Sequence, residues 1–455
     1  MTENKATAAL ETAPIGDLLW KYALPAIVGT MVTALYSVVD RIFIGQGVGT
    51  MAISGLALTM PIIMALQSVG MLIGAGSSAR ISISLGQKNK ELAEQVLGCS
   101  LLLTLIFSFL SISLSLYFLE PLLYAFGGSE NTIPYAKEFL LIMIPATVLT
   151  ALAYNFNSMM RASGYPYKAM YTMLIGAILN IILVPIFIFV FHLGIAGVAW
   201  ASCIAMTVSM VWVMSHFMSK NSFLRFRKKY ICLDKAIVFS IISIGMSPFL
   251  MQLAASLVAI FMTVSLKKYG GDIAIGAYGI NNSLLMLLIM FVIGLNQGMQ
   301  PIAGYNYGAK QYDRVLGVLK YTIYAATIVT SLGSLCAIFI PEVLVRIFTS
   351  DEEMIAVASR GLRIYLSAFF CVGFQAVATN FFQCLGMVKK SIFLSLTRQC
   401  IVLIPSLLIL PHFWGLDGVW LAAPVSDSIS ALITGVFLYY QVKEFRIKYN
   451  DTNIE

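Results

Sequence analysis

The segment Gly86-Gln87-Lys88, followed by Glu91, returns 222 positions later as Gly308-Ala309-Lys310, followed by Asp313. Each copy lies between two long apolar runs, so each reads as a short polar turn joining hydrophobic helices. Four more anchors recur in the same order. Gly164 and Lys168 precede Gly386 and Lys390 by 222 positions, and Gly194 and Gly197 precede Gly415 and Gly418 by 221. Pro121 precedes Pro341 by 220, and Pro25 precedes Pro248 by 223. An ordered set that drifts by so little marks an internal duplication. The chain therefore divides into an N-lobe over 1–219, a basic linker over 220–235 and a C-lobe over 236–455.

The solvent around these repeats follows from composition. Of 455 residues, 59% are hydrophobic and 11% charged, with a mean hydropathy of +0.87. Soluble domains are about 25% charged, so most of this surface must meet lipid. Apolar runs place spans near 17–44, 52–78, 93–119, 134–160, 169–191, 194–217, 237–266, 274–301, 315–340, 355–384, 391–411 and 416–441. Runs of about 20 residues without strict alternation predict helices rather than barrel strands. The expected fold is thus an all-α polytopic membrane protein with twelve transmembrane helices in two six-helix lobes. Such short connections leave no room for a large extramembrane domain. There is no phosphate-binding G-x-x-x-x-G-K-[ST] loop, no H-E-x-x-H and no G-x-S-x-G, so the reading is not an enzyme.

Charge sets the orientation. With the N-terminus inside, 22 of the 29 basic residues fall on the cytoplasmic side, Arg398 and the linker cluster Arg225, Arg227, Lys228 and Lys229 among them. The positive-inside rule then predicts both termini in the cytoplasm of a multi-pass cell-membrane protein. The net charge of +8 is accounted for as topology, with no nucleic-acid partner. Seven scattered cysteines, mostly in apolar runs and without a C-x-x-C pair, read as small hydrophobes. His192, His216 and His412 are too far apart in sequence to propose a metal site.

Six spans per repeat is an even number, so both halves enter the membrane from the same side. Parallel repeats of this kind are typical of transporters, with substrate sites at the repeat interface and alternating access by rocking.

Particular residues also carry a family resemblance. Leu24-Pro25-Ala26, then Asp40-Arg41-Ile42-Phe43-Ile44-Gly45 with Gly49, resembles the first-span signature of the multidrug and toxic compound extrusion (MATE) transporters. Gly86-Gln87-Lys88, Met160-Arg161-Ala162-Ser163-Gly164 and Gly194-Ile195-Ala196-Gly197 fit the same pattern. Gly418-Val419-Trp420-Leu421-Ala422-Ala423-Pro424-Val425-Ser426-Asp427 is similar to the MepA-like and DinF-like bacterial branch. The resemblance implies two V-shaped lobes exporting organic cations or drugs in exchange for protons or sodium ions. It implies no cofactor and no obligate protein partner; the proton is favoured as coupling ion by this chain's own acids, set out next.

Ionisable groups deep in lipid are expensive and default to functional candidates. Two acids fall well inside the spans, Asp40 and Asp427. A carboxylate there can hold a proton or a cation but hardly both, which is the minimal chemistry of exchange. The resemblance makes Asp40 a proton or cation site of the N-lobe and points to Asn180 as its amide neighbour, with Asn157 as a further candidate. Asn155 and Gln67 are other polar residues of these spans. Amides in spans also serve simply to bond helices together. Val184 stands one turn after Asn180, where some proton-coupled relatives carry a further acid. Spans seven, eight and ten hold Gln252, Asn281, Asn282 and Gln375 but no carboxylate, which disfavours a sodium site in the C-lobe. Pro25, about fifteen residues before Asp40, is a hinge candidate, since proline removes a backbone hydrogen bond. It equally suits a helix start. Tyr36, Gln67, Tyr154, Asn155, Met159, Gln252, Asn281 and Met286 are candidate substrate-lining residues. A rival reading is a flippase for lipid-linked oligosaccharide, which would need a cationic cavity; the spans are nearly free of Lys and Arg.

Overall fold

The computed structural model describes residues 5–48, 50–125, 130, 132–220 and 222–452, and among these all regular structure is helical. The helices are α1 (Lys5–Thr12), α2 (Ile15–Gly47), α3 (Thr50–Gly86), α4 (Lys90–Tyr117), α5 (Leu119–Ala125), α6 (Ile133–Ala162), α7 (Pro166–Pro185) and α8 (Gly194–Met218). After the linker come α9 (Lys235–Gly308), α10 (Tyr312–Phe339), α11 (Pro341–Arg346), α12 (Glu352–Tyr365), α13 (Phe370–Cys384), α14 (Val388–Leu396) and α15 (Ile404–Thr452). Segments of π-helix follow α7 at Ile186–Val190 and precede α15 at Thr397–Leu403.

Among the described residues, nine stretches are long and apolar enough to cross a bilayer. Two of them are double crossings, α9 and the run from α14 through α15, each reversed at a left-handed glycine: Gly271 (φ 67°) and Gly415 (φ 56°). The pair α12 and α13 forms one further crossing bent by 53°. Twelve crossings result, as the apolar runs predict. The tenth departs from a simple span: α12 ends at Tyr365 and α13 starts at Phe370, so two half-helices replace one.

The duplication is visible in the backbone itself. Lys88 and Lys310 both take left-handed φ, 58° and 59°. Around them the bonds Lys88 N to Leu85 O and Asn89 N to Ser84 O recur as Lys310 N to Tyr307 O and Gln311 N to Asn306 O. Gly164 and Gly386 share the same role, with φ 96° and 71°.

Within each helix the pattern is that of a membrane bundle, with small and hydroxylated residues inward and large apolar ones outward. On α4, Ala93, Leu97, Ser100, Thr104 and Ser108 are buried, whereas Phe109, Leu110, Leu114 and Tyr117 are exposed. Buried hydroxyls are satisfied locally; Ser100 and Thr104 return hydrogen bonds to Leu97 and Ser100 carbonyls at 2.8 and 2.7 Å.

The chain forms two compact units: Met1–Ala13 with Leu24–Phe249, and Pro14–Ala23 with Leu250–Glu455. The boundaries fall inside α2 and α9, beside the repeat-related Pro25 and Pro248. In the second unit, Ala23 packs against Gly298 so closely that a Cβ there would lie 2.6 Å from the Ala23 backbone. In the first, Gly245 on α9 meets the Leu72 carbonyl of α3, and Gly76 on α3 meets the Ile241 carbonyl of α9.

The linker is a docked segment. Leu224 is fully buried, and Phe226 packs on Phe156 and Phe217 with ring centroids 5.3 and 6.0 Å away. Arg227 Nε reaches the buried Glu94 carboxylate at 2.6 Å, and the Tyr230 hydroxyl donates to Glu91 at 2.6 Å. Asp234 then caps α9 by accepting from the Ala236 and Ile237 amides at 2.9 and 3.0 Å, a standard way to satisfy first-turn donors.

Candidate functional site

Asp40 stands one turn before Ile44, about 6 Å along α2 from the end of its apolar run. Three helices meet there. Asn180 of α7 and Ser202 of α8 are both buried, and the Asn180 amide bridges the other two side chains. With its nitrogen toward the carboxylate it donates to Asp40 Oδ1 at 2.8 Å and Oδ2 at 3.3 Å, and its oxygen accepts from Ser202 Oγ at 3.0 Å. Turned over, the nitrogen donates to Ser202 Oγ at 3.0 Å and the amide oxygen faces Asp40. That second arrangement satisfies Asp40 only when the acid carries a proton to donate. One amide can thus serve both protonation states by reversing its hydrogen-bond direction.

An apolar plug adjoins the triad. Ile44, Val184, Ile188, Val198, Ala199 and Ala201 belong to one buried cluster with Phe139 and Met143. Asn180 precedes Val184 by a turn, and Ser202 follows Val198 by a turn, so the polar groups line up along one side of this cluster. Close approach of α7 to α8 depends on Gly176, where a Cβ would lie 2.6 Å from Ser209 Oγ. Tyr36, one turn before Asp40 on α2, is half-buried.

Of the predicted residues, Asp40 and Asn180 are brought together. Ser202 is an addition; a lone serine in an apolar span gives no signal in the sequence, because hydroxyls are common helix-packing groups. Asn157 does not join them. Its Nδ2 donates to the Ala169 carbonyl at 2.7 Å, and its oxygen accepts from the buried Arg161. Ala169 precedes Asn180 by eleven residues on α7, about 16 Å of helix, so Asn157 serves the opposite end of the bundle.

Several proposed lining residues are packed between helices. Asn155 donates to Thr104 Oγ1 at 2.7 Å, and the fully buried Met159 accepts from Ser100 Oγ at 3.6 Å. The Tyr154 ring lies against Gly74 of α3. Asn281 is buried and donates to the Ala358 carbonyl at 3.2 Å. The sequence gives the amide but not the direction its helix face points. Gln67 and Met286 are exposed and Gln252 is half-buried.

Asp427 has a different environment. It is buried in the second unit, and Arg398 Nε donates to its Oδ1 at 2.7 Å. Arg398 is the second residue of the π-helical segment, inside a crossing, although the charge count places it on the cytoplasmic side. Ser426 accompanies the pair by donating to the Arg398 carbonyl at 2.6 Å. Asp427 is therefore neutralised by an ion pair, whereas Asp40 has no ion-pair partner among the described residues and is met by the Asn180 amide.

Two bundles of six crossings, related by duplication, with one carboxylate held by an amide inside the first, define a polytopic membrane protein of the transporter type. The family MatE matches the chain twice, over residues 25–186 and 248–408, and the chain belongs to that family. Each match begins at one of the paired prolines. A curated relative from Staphylococcus haemolyticus, "Multidrug export protein MepA", is 26% identical over 433 residues, covering 95% of both chains. Its counterpart in Staphylococcus aureus (strain MSSA476) is also 26% identical, covering 94% of both. Among solved structures, the outward-facing conformation of a multidrug resistance MATE family transporter of the MOP superfamily superposes with a TM-score of 0.93 at 21% identity, over 98% of this chain and 99% of that one. The two-lobe fold is therefore that of MATE transporters.

Proposed function

We propose that the chain is a membrane antiporter that exports organic cations or drugs by alternating access, and that Asp40 is its coupling site. The observation that supports this is the Asp40–Asn180–Ser202 triad: one intramembrane carboxylate whose amide partner can bond it in either protonation state. The staphylococcal relatives, named as multidrug exporters, agree with drug export.

The proton suits this site better than sodium. A sodium ion is held by several oxygens, as hard cations generally are, whereas Asn180 with its nitrogen turned toward the carboxylate offers Asp40 an N–H. In the exchange, a cation arriving at ionised Asp40 would be displaced by a proton, and the protonated acid would bond the turned amide. Pro25 provides the hinge in α2, and Tyr36, Gln67, Gln252 and Met286 contribute to the substrate path. The N-lobe 1–219 and C-lobe 236–455 rock against each other, with both termini in the cytoplasm. A one-for-one swap moves no net charge and draws on the pH gradient alone, since each charge crossing 100 mV is worth about 2.3 kcal/mol.

The test is ethidium movement in proteoliposomes under an imposed pH or sodium gradient, comparing wild type with Asp40→Asn. Proton-driven movement lost in Asp40→Asn is the expected result. Movement driven by sodium alone, or unchanged by the substitution, overturns the assignment; no cation movement under either gradient favours lipid flipping.

A further inference from the structure

The second unit holds a counterpart of the first unit's polar contact. Asn180 and Ser202 join the fifth and sixth crossings, and Arg398 and Asp427 join the eleventh and twelfth. Arg398 follows Asn180 by 218 positions and Asp427 follows Ser202 by 225, against a repeat of 221 to 222 in this part of the chain. Each member is thus about one helical turn from its repeat position. The two crossings are antiparallel, so the opposite signs carry both members toward the same end of the bundle, a shift of about 5 Å. The duplicated place holds a neutral polar pair in one lobe and an ionic pair in the other.

The backbone around the ionic pair is irregular at three places. Arg398 lies in the π-helical segment Thr397–Leu403, and Asp427 follows Pro424 by three residues inside α15. Tyr365, within electrostatic reach of both charges, is the last residue of α12 at the break in the tenth crossing. Mutual neutralisation needs none of this, since two charges can pair between regular helices. Interrupted crossings are instead the usual construction of a transporter's ligand site, and π-helical turns gather at functional positions.

The pair also leaves bonding capacity unused. Only Nε of Arg398 and Oδ1 of Asp427 are engaged with each other. Arg398 Nη1 and Nη2 and Asp427 Oδ2 make no hydrogen bond among the described residues, and each keeps accessible surface. The Arg398 side chain is 23% exposed, against 5% for Asp427. A charge within a crossing faces the bundle interior or a water-filled space rather than lipid, so the free guanidinium edge is offered to a polar space.

These atoms define a ligand by its charges. Nη1 and Nη2 form a planar two-donor edge that matches a carboxylate, and Oδ2 accepts from a cationic N–H. A ligand with only a positive charge would face the guanidinium, and one with only a negative charge would face Asp427. A zwitterion satisfies both and leaves the existing bond intact. The half-buried Tyr278 and Tyr365, with ring centroids 6.1 Å apart and the buried Trp420 at 6.4 and 6.2 Å from them, add an aromatic wall next to the charges.

We propose that the Arg398–Asp427 pair is a second substrate site and that it takes aromatic zwitterions, with the carboxylate on Arg398 Nη1 and Nη2 and the cationic nitrogen on Asp427 Oδ2. The proposal rests on the export reading but not on the role of Asp40, and it extends the substrates from cations to zwitterions.

The test measures binding of two dyes to the purified full chain in detergent by fluorescence anisotropy. Rhodamine 110 is a zwitterion with a free carboxylate, and its methyl ester, rhodamine 123, is a cation. Arg398→Lys keeps a cation opposite Asp427 but loses the two-donor edge. The ratio of rhodamine 110 to rhodamine 123 affinity should therefore fall about tenfold, the loss of one charge-assisted hydrogen bond. The apolar pair Arg398→Met/Asp427→Leu removes both charges together, strands neither, and should lower the ratio at least as far. A ratio unchanged in both variants, or lowered only by Asp40→Asn, overturns the proposal, as does a wild type that does not bind rhodamine 110. Binding in detergent needs no gradient, so the result is read separately from the ethidium assay and from the identity of the coupling ion.

Discussion

Arg398 and Asp427 form an ion pair of 2.7 Å inside the second unit, between the π-helical segment that precedes α15 and α15 itself. Asp427 is almost completely buried, so removing either partner strands a charge in an apolar interior. Single variants Asp427→Asn and Arg398→Gln should each cost about 3–5 kcal/mol, seen as a large drop in the melting temperature of the purified protein. The apolar pair Arg398→Met/Asp427→Leu should restore most of it. If the double variant melts as low as the singles, the pair has a role beyond mutual neutralisation.

Asn180 and Ser202 should contribute unequally to transport. Asn180→Leu takes away the bond to Asp40 and leaves the acid without its amide, so proton-driven ethidium efflux should fall by about tenfold or more, a charge-assisted hydrogen bond's worth. Ser202→Ala only loosens the amide and should cost about threefold, one ordinary hydrogen bond. Efflux rates in the same vesicles measure both, and a Ser202→Ala defect exceeding that of Asn180→Leu contradicts the order of the triad.

Gly98 lies under the linker, where a Cβ would stand 2.3 Å from the Tyr230 carbonyl oxygen. Backbone cannot step aside as a flexible side chain can, so Gly98→Val should undock residues 222–234. The linker is rich in Arg and Lys, and limited trypsin digestion would then separate the chain into its two halves at a rate well above wild type. Unchanged digestion would mean that the contacts of Leu224, Phe226 and Arg227 hold the linker despite the clash.

Gly245 meets the Leu72 carbonyl so closely that an added Cβ would sit 1.6 Å away. Gly245→Ala should lose about 1–3 kcal/mol through overpacking. Gly317→Ala, whose nearest neighbour is a side-chain atom of Ile15 at 3.7 Å, is the matched control and should melt like wild type.

The duplication could be read from sequence because it rests on turn chemistry. Lys88 and Lys310 occupy the same left-handed turn, and the glycines that follow the fourth and tenth crossings repeat with it. Asp40 was legible for a related reason: an acid in an apolar run is rare enough to stand out. The azimuth of a side chain around its helix was not legible. Asn155, Asn157 and Asn281 have the same chemistry as Asn180, yet each bonds a neighbouring helix instead of the acid. Arg398 was counted with the cytoplasmic charges although it lies within the 391–411 run, because it falls only two turns from that run's cytoplasmic end and a count by side does not register depth. The exchange of Pro14–Ala23 and the start of α9 between units left no mark either, since it depends on packing between residues hundreds of positions apart.

That exchange bears on how the protein is made. Ala23 leaves the ribosome 275 residues before Gly298, the residue it packs against. At synthesis rates of about 5–20 residues per second, the first turns of α2 wait on the order of tens of seconds for their partner. The first-synthesised crossing is therefore among the last to reach its final neighbours. The start of α2 cannot take up its finished packing until translation has passed Gly298, well into the second half of the chain.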